Sequence, residues 1–241
     1  MSDQRLELLR ERYQAVQQKI AAACGSANRS VDEVTLVVVT KNHPVSLVTD
    51  LLELGHRDFG ENRDQEAKPK AEFLLENSSI VRSDYRWHFV GQLQSNKVKS
   101  VLDYADFIHS LDRESLLSEL AKQTQRRQLE DPAFRELGVF IQLNLTEDAN
   151  RGGIQIADLE KFANQVLQVS SLKLSGVMAV ASIDGDLERE LDLVRKASEK
   201  LRALEPKAKF ISAGMSNDFE AAIRHGATHL RIGTAITGNR L

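Results

Sequence analysis

The segment Thr35-Leu36-Val37-Val38-Val39-Thr40 is apolar and β-branched, with no polar alternation. A strand of that kind is covered on both faces, as in a parallel sheet flanked by helices. The theme recurs along the chain. After this first strand (Val34–Thr40), strand-like runs are predicted at Arg57–Phe59, Trp87–Val90, Phe107–His109, Val139–Leu145, Leu172–Val180, Phe210–Ser212 and Thr228–Ile232. Helical periodicity separates them after Pro44 and over Asn62–Leu75, Asn96–Leu102, Glu114–Arg127, Ala157–Val169, Leu187–Leu204 and Asp218–His225. Eight strand–helix units in 241 residues, without a Pro/Gly-rich linker, predict a closed (β/α)8 TIM barrel. A doubly wound open sheet would be expected to carry a glycine-rich turn after its first strand, and that turn reads Lys41-Asn42-His43-Pro44. The expectation is one domain over 1–241, with the barrel at 34–238. Leu6, Leu9, Tyr13, Val16 and Ile20 predict an extra amphipathic N-terminal helix over 1–25, closing near Cys24-Gly25. Asn77–Asp84 and Gln128–Leu137 read as ordinary loops.

A net charge of −3 supplies no global field for nucleic acid or anionic lipid. The single cysteine, Cys24, has no internal disulfide partner, and the N-terminus reads as charged helix rather than signal peptide. No stretch reaches the roughly 18 apolar residues of a membrane span. A cytoplasmic protein with no nucleic-acid or membrane partner is expected.

In a barrel the loops following each strand build the active face. They deliver Lys41, Gly60-Glu61-Asn62, Gly91 to Lys97, Ser110-Leu111-Asp112, Asn144, Met178 to Ser182, Ala213 to Ser216 and Arg231 to Thr234. A lysine leaving an apolar strand can lose solvation and become a nucleophile toward an aldehyde; a solvated lysine that merely ends a strand is the bland alternative. Gly214-Met215-Ser216-Asn217-Asp218 places small and hydroxyl residues just before a helix, and Arg231-Ile232-Gly233-Thr234 adds free backbone donors. Loops after strands seven and eight form the recurring phosphate site of this architecture. Alternatively, Ser216 is a helix N-cap and Gly233 a turn residue. Both loops, taken with the strand-one lysine, favour a phosphate-bearing aldehyde held as a Schiff base.

Met178 either packs the barrel mouth or touches the ligand. His88 should alternate away from Trp87 and Phe89. The histidines show no metal-ligand spacing with cysteine, so no metal is expected. Lys68, Lys70, Lys97 and Lys99 read as a solvated helix face, with a second aldehyde-accepting surface as the minority reading.

Val39-Thr40-Lys41, Phe59-Gly60-Glu61-Asn62, Trp87-His88-Phe89-Val90-Gly91, Gln94-Ser95-Asn96-Lys97, Gly214 to Asp218 and Arg231 to Ile236 together resemble the pyridoxal phosphate homeostasis proteins. The resemblance runs in order from about Val34 to Gly238. It implies a barrel of the alanine racemase N-terminal type with pyridoxal 5′-phosphate (PLP) on Lys41. It further implies phosphate contacts from Ser216, Gly233 and Thr234, Arg231 at the pyridine nitrogen, and Asn62 beside the cofactor. His43, Arg63 and Thr237 depart from the lysine, tyrosine and phenylalanine common in that family.

Three functions compete: a PLP carrier, a PLP-dependent racemase or decarboxylase, and a lysine aldolase without PLP. An aldolase needs an acid/base beside the lysine, and only Glu61, Asp112 and distant tyrosines are available. Racemases and decarboxylases of related fold add a β domain, expected to be missing here because few residues follow strand eight. Racemisation needs a second acid/base, whereas Tyr13, Tyr85 and Tyr104 lie off the predicted strand ends. A charged Arg231 at the pyridine nitrogen weakens the ring as an electron sink. The sequence therefore favours a non-catalytic protein of intracellular PLP storage, delivery or buffering. Apo-PLP enzymes are its expected partners, and it is expected to be a monomer or weak dimer.

Overall fold

A computed structural model describes residues 2–77, 79–131, 134–148, 151–182 and 185–238. Its strands are β1 (Thr35–Val39), β2 (Asp58–Glu61), β3 (Arg86–Phe89), β4 (Phe107–Leu111), β5 (Leu137–Asn144), β6 (Ile154–Gln155), β7 (Leu172–Ala179), β8 (Phe210–Ser212) and β9 (His229–Ile232). Its helices are α1 (Ser2–Ser26), α2 (Val45–Glu53), α3 (Asp64–Asn77), α4 (Val98–Val101), α5 (Glu114–Glu130), α6 (Leu159–Leu167), α7 (Leu187–Leu204), α8 (Phe219–Arg224) and α9 (Thr234–Thr237). The sheet runs β4-β3-β2-β1-β9-β8-β7-β5, and a β4–β5 pairing closes it into a parallel eight-stranded barrel. The two-residue β6 only extends the rim beside β5. The (β/α)8 barrel expected from the alternating pattern is the observed fold.

Period-two alternation divides each strand between two cores. Val38, Phe59, Trp87, Ile108, Val139, Val177, Ile211 and Leu230 join the apolar cluster beneath the helices. Their neighbours Val37, Gly60, His88, His109, Phe140, Met178, Ser212 and Arg231 face the barrel interior. His88 does alternate away from Trp87 and Phe89: it stacks on Phe107 (centroids 4.8 Å apart), and His109 stacks on Phe140 (4.3 Å).

Two strands run further than their apolar runs suggest. Gly60-Glu61 and Ser110-Leu111 lie inside β2 and β4 rather than in the following loops, and Gln128 lies inside α5. Both pairs carry polar or small residues that face the interior or the rim, so apolar content alone truncates these strands.

Helix α1 is the extra N-terminal helix. It buries Leu9, Tyr13, Val16, Ile20 and Cys24 and packs on α8 and α9. Its Tyr13 hydroxyl donates to Nδ1 of His56 at 3.2 Å, leaving His56 Nε2–H to donate to the Asp58 carbonyl at 2.6 Å.

Burial holds His56 near pKa 4, His229 near 3 and His109 well below its ordinary value. These folded values lie below the unfolded value of about 6.5. The unfolded chain therefore takes up more protons below that pH. The stability from these neutral rings is full above pH 6.5 and lost as pH falls toward 4 and 3, by about 1.4 kcal/mol per histidine per pH unit. Urea unfolding is expected to show a lower midpoint at pH 5 than at pH 7.5. A midpoint that does not move would contradict the buried neutral assignment.

Candidate functional site

Chain topology gathers the candidate residues on one arc of the rim. The adjacent strands β2, β1, β9, β8 and β7 carry or precede Asn62, Lys41, Arg231-Gly233-Thr234, Ser216 and Met178 respectively. Closure places the last strand beside the first, in the register Val37↔Arg231 and Val38↔Ile232. Lys41 and Gly233 thus become neighbours although far apart in sequence.

Thr40 follows β1 with its amide on the Gly60 carbonyl (2.9 Å), and a turn closes from the His43 amide to the Thr40 carbonyl (3.2 Å). Asn42 takes the left-handed conformation within it (φ 62°), which asparagine tolerates. Its amide donates to Glu66 of α3 at 2.5 Å. This anchored turn presents Lys41. The amine is exposed rather than desolvated, and it makes no hydrogen bond or ion pair with a described residue.

Behind Lys41, Glu61 is fully buried. It accepts from Thr40 Oγ1 at 2.7 Å and from Lys70 Nζ at 2.5 Å, and Lys70 also donates to the Thr40 carbonyl at 2.9 Å. Burial raises the Glu61 pKa against the opposing pull of Lys70 and Thr40. Lys70 therefore does not belong to a solvated basic face. Lys68 pairs with Asp103 (2.9 Å) and Lys97 approaches Asp64 (3.8 Å), so this lysine cluster is tied largely to carboxylates.

On the other flank, Gly214 has φ 93°, and a Cβ there would meet that of Ala222 at 2.8 Å, so this turn requires glycine. Asp218, not Ser216, holds the N-cap position of α8, and its carboxylate accepts from the Met215 amide at 2.5 Å. Ser216 instead reaches the other loop. Its Oγ accepts from Thr234 Oγ1 at 3.3 Å and from the Ala235 amide at 3.4 Å, leaving its own O–H to donate elsewhere. The β8 and β9 loops thus meet at a hydroxyl–amide cluster opening α9.

Arg231 lies within β9, with its guanidinium inside the barrel. It donates to Ser212 Oγ at 2.6 Å and to the Ala179 carbonyl at 2.8 Å. Burial lowers its pKa to about 10, which keeps it charged at neutral pH. Met178 is buried on β7, level with Ser212. Asn62 Oδ1 is buried without a partner among the described residues. Beside it a cavity of about 630 Å³ opens between the loops after β2 and β3, lined by Asn62, Arg63, Glu66, Gln92 and Lys97. Sequence reading missed Ser212, the Ala179 carbonyl and the Glu61–Lys70 support. Ser212 and Glu61 carry one signal, a polar side chain closing an apolar strand; Lys70 on α3 and the Ala179 carbonyl carry none.

This closed parallel barrel, with a lysine just after its first strand and an arginine on its last, belongs by its family match to the alanine racemase N-terminal class. Residues 11–240 match the alanine racemase N-terminal domain family. The chain belongs to the pyridoxal phosphate homeostasis protein family. It is 36% identical over 228 residues to the pyridoxal phosphate homeostasis protein of Escherichia coli K12, covering 93% of this chain and 94% of that one. The Mycobacterium tuberculosis H37Rv homologue of the same name is 36% identical over 233 residues, covering 94% and 90%. The structure of PipY from Synechococcus elongatus, solved with PLP bound, superposes with a TM-score of 0.76 at 30% identity, covering 91% of this chain and all of that one. No helix among the described residues is long and apolar enough to cross a membrane.

The Glu61–Lys70 pair gives a direct stability test. Lys70→Met strands a buried carboxylate and is expected to cost roughly 3–5 kcal/mol in chemical denaturation. Adding Glu61→Gln should recover most of that loss. A single-variant cost below about 1 kcal/mol would show the pair to be solvated.

Proposed function

We propose that this chain binds PLP covalently at Lys41 and serves intracellular PLP homeostasis as a store, carrier or buffer without turning over a substrate. The observation that carries the reading is the shared rim: an unpaired amine, a hydroxyl–amide cluster and a charged guanidinium on adjacent strands. The names of its relatives support the homeostasis role, and the PLP-bound PipY structure supports PLP as the ligand.

The residues present fit the cofactor. Lys41 offers a primary amine with no competing partner among the described residues. Ser216, Gly233 and Thr234 offer hydroxyl and amide donors suited to a phosphate. A Cβ at Gly233 would sit 3.3 Å from the Val39 carbonyl, so a large side chain there would crowd the rim. Asn62 Oδ1, buried and unpartnered, needs a donor that a ligand hydroxyl would supply. Met178 contributes an apolar wall. When bound, PLP supplies an aldehyde that condenses with an amine and releases water.

The surrounding groups favour holding the cofactor over using it. Arg231 is a donor only, so facing the pyridine nitrogen it would keep that nitrogen unprotonated and the ring a weak electron sink. Glu61 is committed to Lys70 and Thr40, and Asp112 to Arg113 at 2.6 Å. Tyr13 is bonded to His56, and the Tyr104 hydroxyl contacts Asp64 at 3.4 Å. The Tyr85 hydroxyl is buried without a partner among the described residues, but it precedes β3, at the opposite end of the barrel from Lys41. None of these groups is placed to act as a second acid/base for racemisation. We assign the protein to the cytoplasm, with apo-PLP enzymes as recipients, and as a monomer or weak dimer.

Ser216→Ala is expected to weaken PLP retention while leaving the thermal midpoint nearly unchanged, Gly233→Leu to weaken it with some loss of stability from crowding at the Val39 carbonyl, and pyridoxal lacking the phosphate should bind far more weakly than PLP. Equal affinity for the two would remove the phosphate-site argument. In a mixed assay the PLP-loaded protein should activate an apo-transaminase. It should neither racemise nor decarboxylate alanine, serine, lysine or ornithine above free PLP. Turnover that disappears in Lys41→Ala would decide for a PLP-dependent racemase or decarboxylase instead.

A further inference from the structure

The interior of a (β/α)8 barrel is ordinarily filled by branched aliphatic side chains. Here a continuous hydrogen-bonded chain of polar groups crosses it. Arg231 Nη1 lies 2.6 Å from Ser212 Oγ, which lies 2.8 Å from His109 Nδ1. His109 Nε2 lies 3.0 Å from His88 Nδ1, and His88 Nε2 lies 3.0 Å from Asp58 Oδ1. Arg86 closes the far end, its Nε and Nη2 each 2.7 Å from the Asp58 carboxylate. Asp58 opens β2 and Ser212 closes β8, so the chain rises from the barrel floor to the proposed cofactor rim. Ser212 and His109 are fully buried and His88 is 1% exposed. Phe107 and Phe140 stack on the two imidazoles and exclude water from them.

Donor counting fixes its direction. A guanidinium only donates, so Ser212 accepts from Arg231 and its single proton goes to His109 Nδ1. His109 then carries its proton on Nε2 and donates to His88 Nδ1. His88 in turn carries its proton on Nε2 and donates to the Asp58 carboxylate, an acceptor only. Both rings and the serine hydroxyl are satisfied, with the Arg231 cation at one end, the Asp58–Arg86 ion pair at the other and two neutral rings between them. The reverse order needs a doubly protonated His88 and strands the Ser212 proton in the core, the costly outcome for a buried donor.

We propose that Asp58, His88, His109 and Ser212 are positioning residues that act through Arg231, locking its guanidinium on the cofactor's ring-nitrogen side from the opposite end of the barrel. The part that concerns the cofactor rests on the PLP reading above; the direction of the chain does not. A neutral, one-way chain holds Arg231 without giving it a group to which it can pass a proton. That keeps the arginine a fixed donor and the site suited to holding PLP.

Two measurements test this. In the full-length protein without PLP, nitrogen-15 spectra at neutral pH should show His88 and His109 as neutral rings protonated on Nε2, with assignments from His88→Gln and His109→Gln. His109 protonated on Nδ1, or His88 doubly protonated, would overturn the chain, and this readout needs neither cofactor nor a stable variant. In the PLP-loaded protein, Ser212→Ala and the remote Asp58→Asn should shift the visible absorbance of the bound cofactor and speed its release on the order of tenfold, as for loss of one hydrogen bond to a charged group. Ser212→Thr, which keeps the hydroxyl, should retain the wild-type absorbance and release rate. Arg82→Gln, on the same floor but bonded to Asp106 rather than to the chain, should lower stability without moving the spectrum. A wild type with no visible band would refute the PLP reading. A wild-type band that Ser212→Ala leaves unchanged would refute the positioning role alone.

Discussion

Everything at the proposed site depends on the pairing of the first strand with the last. β1 and β9 share four registered residues, Thr35 to Val38 against His229 to Ile232. That ladder sets Lys41 beside Gly233 and aims Arg231 into the interior below both. An open sheet made from the same segments would leave the lysine and the arginine on different edges. Barrel closure is thus the step that converts scattered polar residues into one rim, and the β4–β5 pairing on the opposite side completes it.

The second constraint is the polar filling of the barrel. Burying two imidazoles, an arginine and an aspartate forgoes the hydrophobic gain of an aliphatic core, and each polar atom left alone would cost about 1–3 kcal/mol. The structure meets this by linking the groups end to end through Ser212. The Asp58 carboxyl shows the balance: burial would raise its pKa, but hydrogen bonds from His88 and Arg86 outweigh that and hold it near 2. Rigidity at the rim follows from satisfaction below it. The exposed Lys41 contrasts with this. Its backbone is fixed by the Asn42–Glu66 and Thr40–Gly60 hydrogen bonds, yet its amine is open to solvent, a combination suited to accepting and releasing a ligand.

The architecture was legible in the sequence because buried parallel strands are apolar on both faces and the alternation repeats eight times. Strand ends were less legible, for one physical reason. Glu61 and Ser110 are buried at the rim, Glu61 in partnership with Lys70 and Thr40, so a polar residue at these places reads locally as the start of a loop. The same applies to Lys70, which is indistinguishable from a solvated helix lysine until Glu61 is placed opposite it. The residues of the proposed site were nameable from motif order. What supports them, above all the path from Arg231 through Ser212 and the histidines, arises from strand register, which only the folded barrel sets.

The central claim is that one amine, Lys41, holds the cofactor. The most direct measurement is borohydride reduction of the protein mixed with one equivalent of PLP, followed by mass spectrometry of its peptides. The account predicts a stoichiometric phosphopyridoxyl label on the peptide containing Lys41 and none in Lys41→Ala. A stoichiometric label on Lys97, or full labelling of Lys41→Ala, would contradict it.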